Sequence, residues 1–316
     1  YALLNNLFPD KRELAFFSAV AFIVFHADQT LPYASASNYR LGLMLTLLSF
    51  WLMERALRQE RLSSGKLILS LLCGLISHSV FIEATIALEP ARAIVIAYTL
   101  RNKTAKPQLL RKTLLAWLPY LLIALPLVIY KLSSNTYGGH SNMYHLDPLF
   151  FLNWRQDLST LSHFLLFPWF LFVSHLDVVK PATWFIGFAT FAGIYYALYR
   201  SRFAPTLPTA DAVDTVSSDR SVLLLGTVAF LPAAYFFPFA NLRITWGWES
   251  SHAAVGQVGY AILLGWLLHR FYELTRRRNQ RDPWMKYVFS GLLAAGVFFN
   301  NANLDHYFRS WETQSR

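Results

Sequence analysis

Ten apolar blocks punctuate this chain, each roughly as long as a helix that crosses a bilayer. They fall at about 14–31, 41–54, 67–82, 84–100, 114–132, 161–175, 183–199, 222–241, 253–269 and 285–300. A helix needs about 20 apolar residues to cross roughly 30 Å of hydrocarbon. Inside lipid every backbone polar group has to be bonded within its own segment, which favours helices. A β-barrel would show short alternating stretches rather than continuous runs. The pattern therefore predicts an all-α, polytopic membrane protein. Composition agrees, with 55% hydrophobic and only 15% charged residues against about 25% charged in soluble domains.

The net charge of +10 raises nucleic acid as a partner, but the basic residues sit in short loops between apolar blocks. That is the asymmetry of cytoplasmic loops rather than a basic binding face, so no nucleic-acid partner is expected. Arg55, Arg58, Arg61 and Lys66 place one loop inside. Arg101, Lys103, Lys106, Arg111 and Lys112 place a second, and Arg270, Arg276, Arg277, Arg278 and Arg281 a third. Residues 67–100 then have to go out and return, as a hairpin of two short helices with its turn near Glu83 and with Pro90 at the start of the returning helix. The loop 133–160, rich in Asn, Gly, His and Tyr, reads as external, and 200–220 as a flexible cytoplasmic loop. Counting crossings leaves one block that does not span. The short block 161–175, which holds Pro168, is assigned as re-entrant or interfacial. About nine transmembrane helices in one domain over 1–316 are expected, in a bacterial inner membrane.

Glu83 is the residue that most asks for a function. A carboxylate at membrane depth is expensive unless it meets water, a cation or a substrate. Glu89 and His78 lie within about two helical turns of it. By the same topology His26 and Asp28, Arg40, and then Arg243, Glu249 and His252 gather at the outer side. Acids, arginines and aromatics together suit an anionic headgroup carrying a sugar, because Arg binds phosphate in a bidentate fork. The competing reading is interfacial placement for His26 and Asp28, and belt anchoring for Trp246 and Trp248. No His/Cys/Asp spacing matches a preformed zinc site, and no cofactor is assigned, with a divalent metal left open. The single Cys73 excludes an internal disulfide and reads as a packing residue.

Three segments carry a family resemblance. The first is Phe25-His26 followed by Asn38-Tyr39-Arg40-Leu41 and a block ending Met53-Glu54-Arg55. The second runs from Gly74 through Ser77-His78-Ser79 to Glu83-Ala84 and Leu88-Glu89-Pro90. The third is Ser251 to Ala261. Together they resemble the GT-C membrane glycosyltransferases, in particular the O-mannosyltransferase-like members. The resemblance implies a polyprenyl-phosphate sugar as donor, an external acceptor (a protein among the candidates) and membrane lipids or a membrane complex as surroundings. It implies donor-phosphate roles for Arg40 and Arg243, and substrate positioning by Glu83, with His26, Asp28, Glu249 and His252 around it. The chain departs from the family at Ala27, where a Pro is usual, and at Ser251, where many members have Arg. The family's catalytic acid on the first external loop has no counterpart, so no catalytic residue is assigned, and the chain reads either as the later part of a longer protein or as a degenerate homologue without that base. The alternatives from other classes are a transporter or flippase of a lipid-linked saccharide and a non-catalytic subunit of a membrane assembly.

Overall fold

A computed structural model of the chain describes residues 1–24, 37–59, 63–81, 83–133, 162, 179–200, 212–239, 254–278 and 284–314. These residues are predominantly helical, with no strand among them, so the fold is all-α. Ten α-helices follow one another: α1 (Ala2–Leu7), α2 (Arg12–Val24), α3 (Ser37–Arg58), α4 (Ser64–Ile76), α5 (Glu89–Arg101), α6 (Lys106–Ser133), α7 (Pro181–Arg200), α8 (Ala212–Phe239), α9 (Gln257–Arg278) and α10 (Trp284–Gln314). Nine of the ten apolar blocks coincide with α2 to α10; the tenth, 161–175, lies outside the described residues except for Ser162.

The turn between α4 and α5 is set by hydroxyls that bond backbone carbonyls, one local and one on α3. Ser79 Oγ donates to Leu75 O at 2.6 Å, and Ser77 Oγ donates to Gly42 O at 2.6 Å. The helix widens there into one π-helical turn, Ser77–Phe81, and tightens into a 3₁₀ segment, Glu83–Leu88. Pro90 occupies the first turn of α5, where its missing N–H leaves no bond unmade.

Two groups of helices pack side by side. In the first, α3 lies against α4 and α5, and α6 covers both α4 and α5. The expected hairpin is therefore corrected in one respect: the chain reverses near Glu83, but α4 and α5 take α3 and α6 as their main neighbours rather than each other. In the second group α9 lies between α2 and α8, while α10 packs on α7 and touches α2. The first half of α9 is built for close approach. A Cβ added at Gly259 would stand 2.2 Å from Phe230 N on α8, and one at Gly265 would stand 2.2 Å from Ser18 Oγ and 2.6 Å from its Cα on α2. The α8 and α2 backbones occupy the space any larger side chain would need.

One end of the bundle gathers the basic loops. Lys103 Nζ, between α5 and α6, reaches the last carbonyls of α3. Arg58 at the end of α3 bonds Asn6 O on α1. Lys11 before α2, Asp219 near the start of α8 and Arg270 near the end of α9 form an ion-pair chain, which Arg270 extends to Glu273 at 2.8 Å.

Two expectations change. The loop 200–220 is not unstructured over its whole length, because α8 already begins at Ala212. The nine-crossing count is not carried by helix dimensions. Among the described residues one helical stretch, Lys106–Tyr130, is long and apolar enough to cross a bilayer. Helices α2, α4 and α5 have 13 residues each, a rise of only about 20 Å. The longer α3 and α9 carry charges such as Glu54, Arg55, Arg58, Arg270 and Glu273 near their ends.

Candidate functional site

The most constrained chemistry lies inside the first helix group. Glu89 and Arg92 are three residues apart near the start of α5, a spacing that puts them on one helix face. Both are buried, at 2% and 0% exposure. Arg92 Nε donates to both carboxylate oxygens of Glu89, at 3.0 and 2.8 Å, and Nη1 donates to Ser49 Oγ on α3 at 2.9 Å. Its guanidinium is held between two rings, 4.2 Å from the centroid of Phe50 and 4.0 Å from that of Tyr120 on α6. Both distances are well inside the range in which the ring quadrupole attracts a cation.

His78 closes the other side of the carboxylate. Its Nε2 is 3.1 Å from Glu89 Oε1, and its Nδ1 is 2.8 Å from Thr85 Oγ1. An ionised carboxylate only accepts, so Nε2 carries the proton. The ring's other nitrogen shares a hydrogen bond with the Thr85 hydroxyl, and Glu89 and Arg92 balance each other's charge. Trp117 Nε1 adds a longer contact to Glu89 Oε2 at 3.3 Å. A second layer of hydroxyls fixes these groups. Ser70 bonds Tyr120 at 2.8 Å and Ser49 at 3.1 Å, and Ser77 lies 2.7 Å from Thr46 and 3.2 Å from Thr85. One donor is left over. Arg92 Nη2 has no hydrogen-bond partner among the described residues, and it faces the space above Gly74, where an added Cβ would come within 3.8 Å.

Beside this network, on the other side of α3 and α5, is an apolar cavity of about 410 Å³, open on one side and lined by α1, α2, α3, α5, α8 and α9. Phe50 separates the two: it lines the cavity and stacks on Arg92.

The residues singled out from sequence are placed as follows. Glu83 opens the 3₁₀ segment between α4 and α5, but its side chain lies outside the described residues. Arg40 is half-buried in the first turn of α3 and engaged in contacts. His26, Asp28, Arg243, Glu249 and His252 lie outside the described residues, as does the external loop from 134 to 160. The residue that sequence reasoning missed is Arg92. Its signal was available, since a cation inside the apolar block 84–100 is as anomalous as an acid there. No group of three or more His, Cys, Asp or Glu with metal-holding geometry occurs among the described residues. No family model matches the chain, no curated protein matches it, and no solved structure matches it.

Proposed function

We propose that this chain is the membrane-embedded part of a protein that handles a lipid-linked saccharide, and that its activity is sugar transfer from a polyprenyl-phosphate donor to an acceptor on the outer face. The observation that supports the membrane half is the inverted distribution of polarity. On α6, Leu110, Leu114, Leu118, Leu122, Leu125 and Ile129 all face outward, and on α4 so do Ile68, Leu69, Leu72 and Leu75. The buried interior of the same helix group instead holds Glu89, Arg92, His78 and a line of hydroxyls. A soluble monomer rarely exposes a continuous apolar surface of this extent, whereas lipid is the solvent that rewards it. Intramembrane ionisable groups that face the bundle interior and pair with one another mark substrate or ion pathways.

The transferase half rests on the sequence resemblance. In that reading α3 to α6 form the scaffold, Arg40 and Arg243 hold the donor phosphate, and Glu83 at the outer turn positions donor or acceptor. Arg92 lies too deep and too fully enclosed to meet a headgroup, and serves the scaffold. About nine crossings and a bacterial inner membrane belong to the same proposal. A second reading draws on one observation. The Glu89–Arg92–His78 group is buried and its members pair with one another, as ionisable groups along substrate or ion pathways of transporters do.

Two measurements test the proposal. Membranes carrying the full-length gene product are washed with alkaline carbonate, and release of the chain into the wash would sink the membrane reading. Sugar transfer from a labelled polyprenyl-phosphate donor is then compared for wild type, Glu83→Gln and Arg243→Ala. Impaired transfer in both supports the site. Unchanged transfer in both removes the site, and donor translocation without transfer favours the transporter reading.

A further inference from the structure

We propose that the apolar cavity binds one hydrocarbon chain of an anionic phospholipid from the inner leaflet, with Arg55 holding the lipid phosphate. The inference rests on the membrane reading above but is independent of sugar transfer. The cavity walls include Phe22, Leu47, Trp51, Ala91, Leu225 and Ala261 from five different helices. At about 410 Å³ it falls within the roughly 300–1,000 Å³ range of ligand pockets. Its lining is almost wholly apolar, so it suits hydrocarbon rather than a row of ordered waters, which need several polar partners each.

Charge at one end selects the headgroup. Arg55 stands one helical turn beyond Trp51 on α3, towards the end of the bundle where the basic loops collect. Its guanidinium lies 5.6 Å from the Trp51 ring, which itself lines the cavity. Arg55 is exposed and pairs with no carboxylate among the described residues, whereas its neighbour Arg58 is engaged with Glu54 at 2.6 Å. An apolar slot ending beside a guanidinium that no carboxylate holds among the described residues is complementary to a chain that ends in a phosphodiester. Basic side chains at the inner membrane surface favour anionic lipids in just this way.

The full chain is extracted in mild detergent, depleted of endogenous lipid, and offered phosphatidylglycerol or phosphatidylcholine. Bound lipid is counted by native mass spectrometry, and the melting temperature is followed in parallel. Wild type is expected to retain one phosphatidylglycerol about fivefold better than phosphatidylcholine, the preference one guanidinium near the surface supplies. Arg55→Gln should erase that preference while leaving chain binding intact. Ala19→Phe, which fills the cavity from α2, should abolish retention of both lipids. If Ala19→Phe does not melt cooperatively, Ala91→Leu fills the same space from α5. Equal retention of the two lipids by wild type overturns the proposal, as does undiminished retention in a folded cavity-filling variant. Release of the protein by carbonate would instead remove the membrane reading. Firm membrane retention without lipid preference removes only this inference.

Discussion

Removing the Arg92 guanidinium should cost more than any other single side-chain change in the first helix group. Arg92→Met preserves most of the side-chain volume, so the cavity penalty is small and the electrostatic loss dominates. The structure defines what is lost: two bonds to Glu89 at 3.0 and 2.8 Å, one to Ser49 at 2.9 Å, and two ring faces at 4.2 and 4.0 Å. What remains is the Glu89 carboxylate, 2% exposed, with only His78 and Trp117 to receive its charge. Breaking a buried pair from one side costs about 3–5 kcal/mol, because the other charge is stranded. Deleting both charges is different, and a buried pair replaced by apolar or neutral groups is often neutral or even stabilising by about 1–4 kcal/mol. Arg92→Met should therefore lose about 3–5 kcal/mol, Glu89→Gln a comparable amount, and the double variant less than either. Reversible unfolding of the four proteins in mixed micelles gives the cycle directly. The reasoning fails if Arg92→Met lies within about 1 kcal/mol of wild type, or if the two single losses simply add.

Three further outcomes follow from the packing and the charged rim. Gly259→Ala and Gly265→Ala should each destabilise by about 1–3 kcal/mol, because the new Cβ meets a neighbouring backbone at 2.2–2.6 Å. Gly74→Ala, whose Cβ meets nothing nearer than Ser49 Oγ at 3.5 Å, should be tolerated, and thermal melts of the three variants compare them. Glu273 lies beyond the apolar block of α9. The His269 ring 3.3 Å away, although not aligned for a hydrogen bond, together with Arg270 holds its carboxyl down at about 2 against the opposing effect of burial. A carboxyl lowered in the folded state contributes stability above its unfolded value and loses it as the pH falls towards the folded one. The melting-temperature gap between wild type and Glu273→Gln should thus be full at pH 7 and shrink from about pH 4.5 down to 2. A gap that widens with acid would refute the assignment.

Helix placement was legible in the sequence because hydropathy is local. The length of an apolar run and the charges that bound it decide where a helix can sit, and nine of the ten blocks coincide with α2 to α10. Pro90 at the start of α5 was legible for the same reason, since a residue without an N–H suits a first turn whatever surrounds it. Chain reversal near Glu83 followed from the basic loops on either side. The neighbours of α4 and α5 did not, because loop charge fixes the level of each helix end but not which helix lies beside which.

The buried charge centre was only half legible. Glu89 and His78 stood out as polar groups near Glu83, and the spacing of Glu89 and Arg92 already put them on one face. Which acid ends up in the interior depends on partners far away in sequence. Ser49 is 43 residues from Arg92, and the Tyr120 ring that covers the guanidinium arrives on α6. The cavity and the close approaches at Gly259 and Gly265 likewise need two or more helices to exist at all. The sequence by itself determined that the chain is helical, where most of its helices lie and which of their ends carry the basic loops. Only the tertiary structure decided which carboxylate is buried, what neutralises it and where space is left. Propensity and hydropathy are summed along one segment, whereas desolvation, pairing and packing are properties of segments brought together.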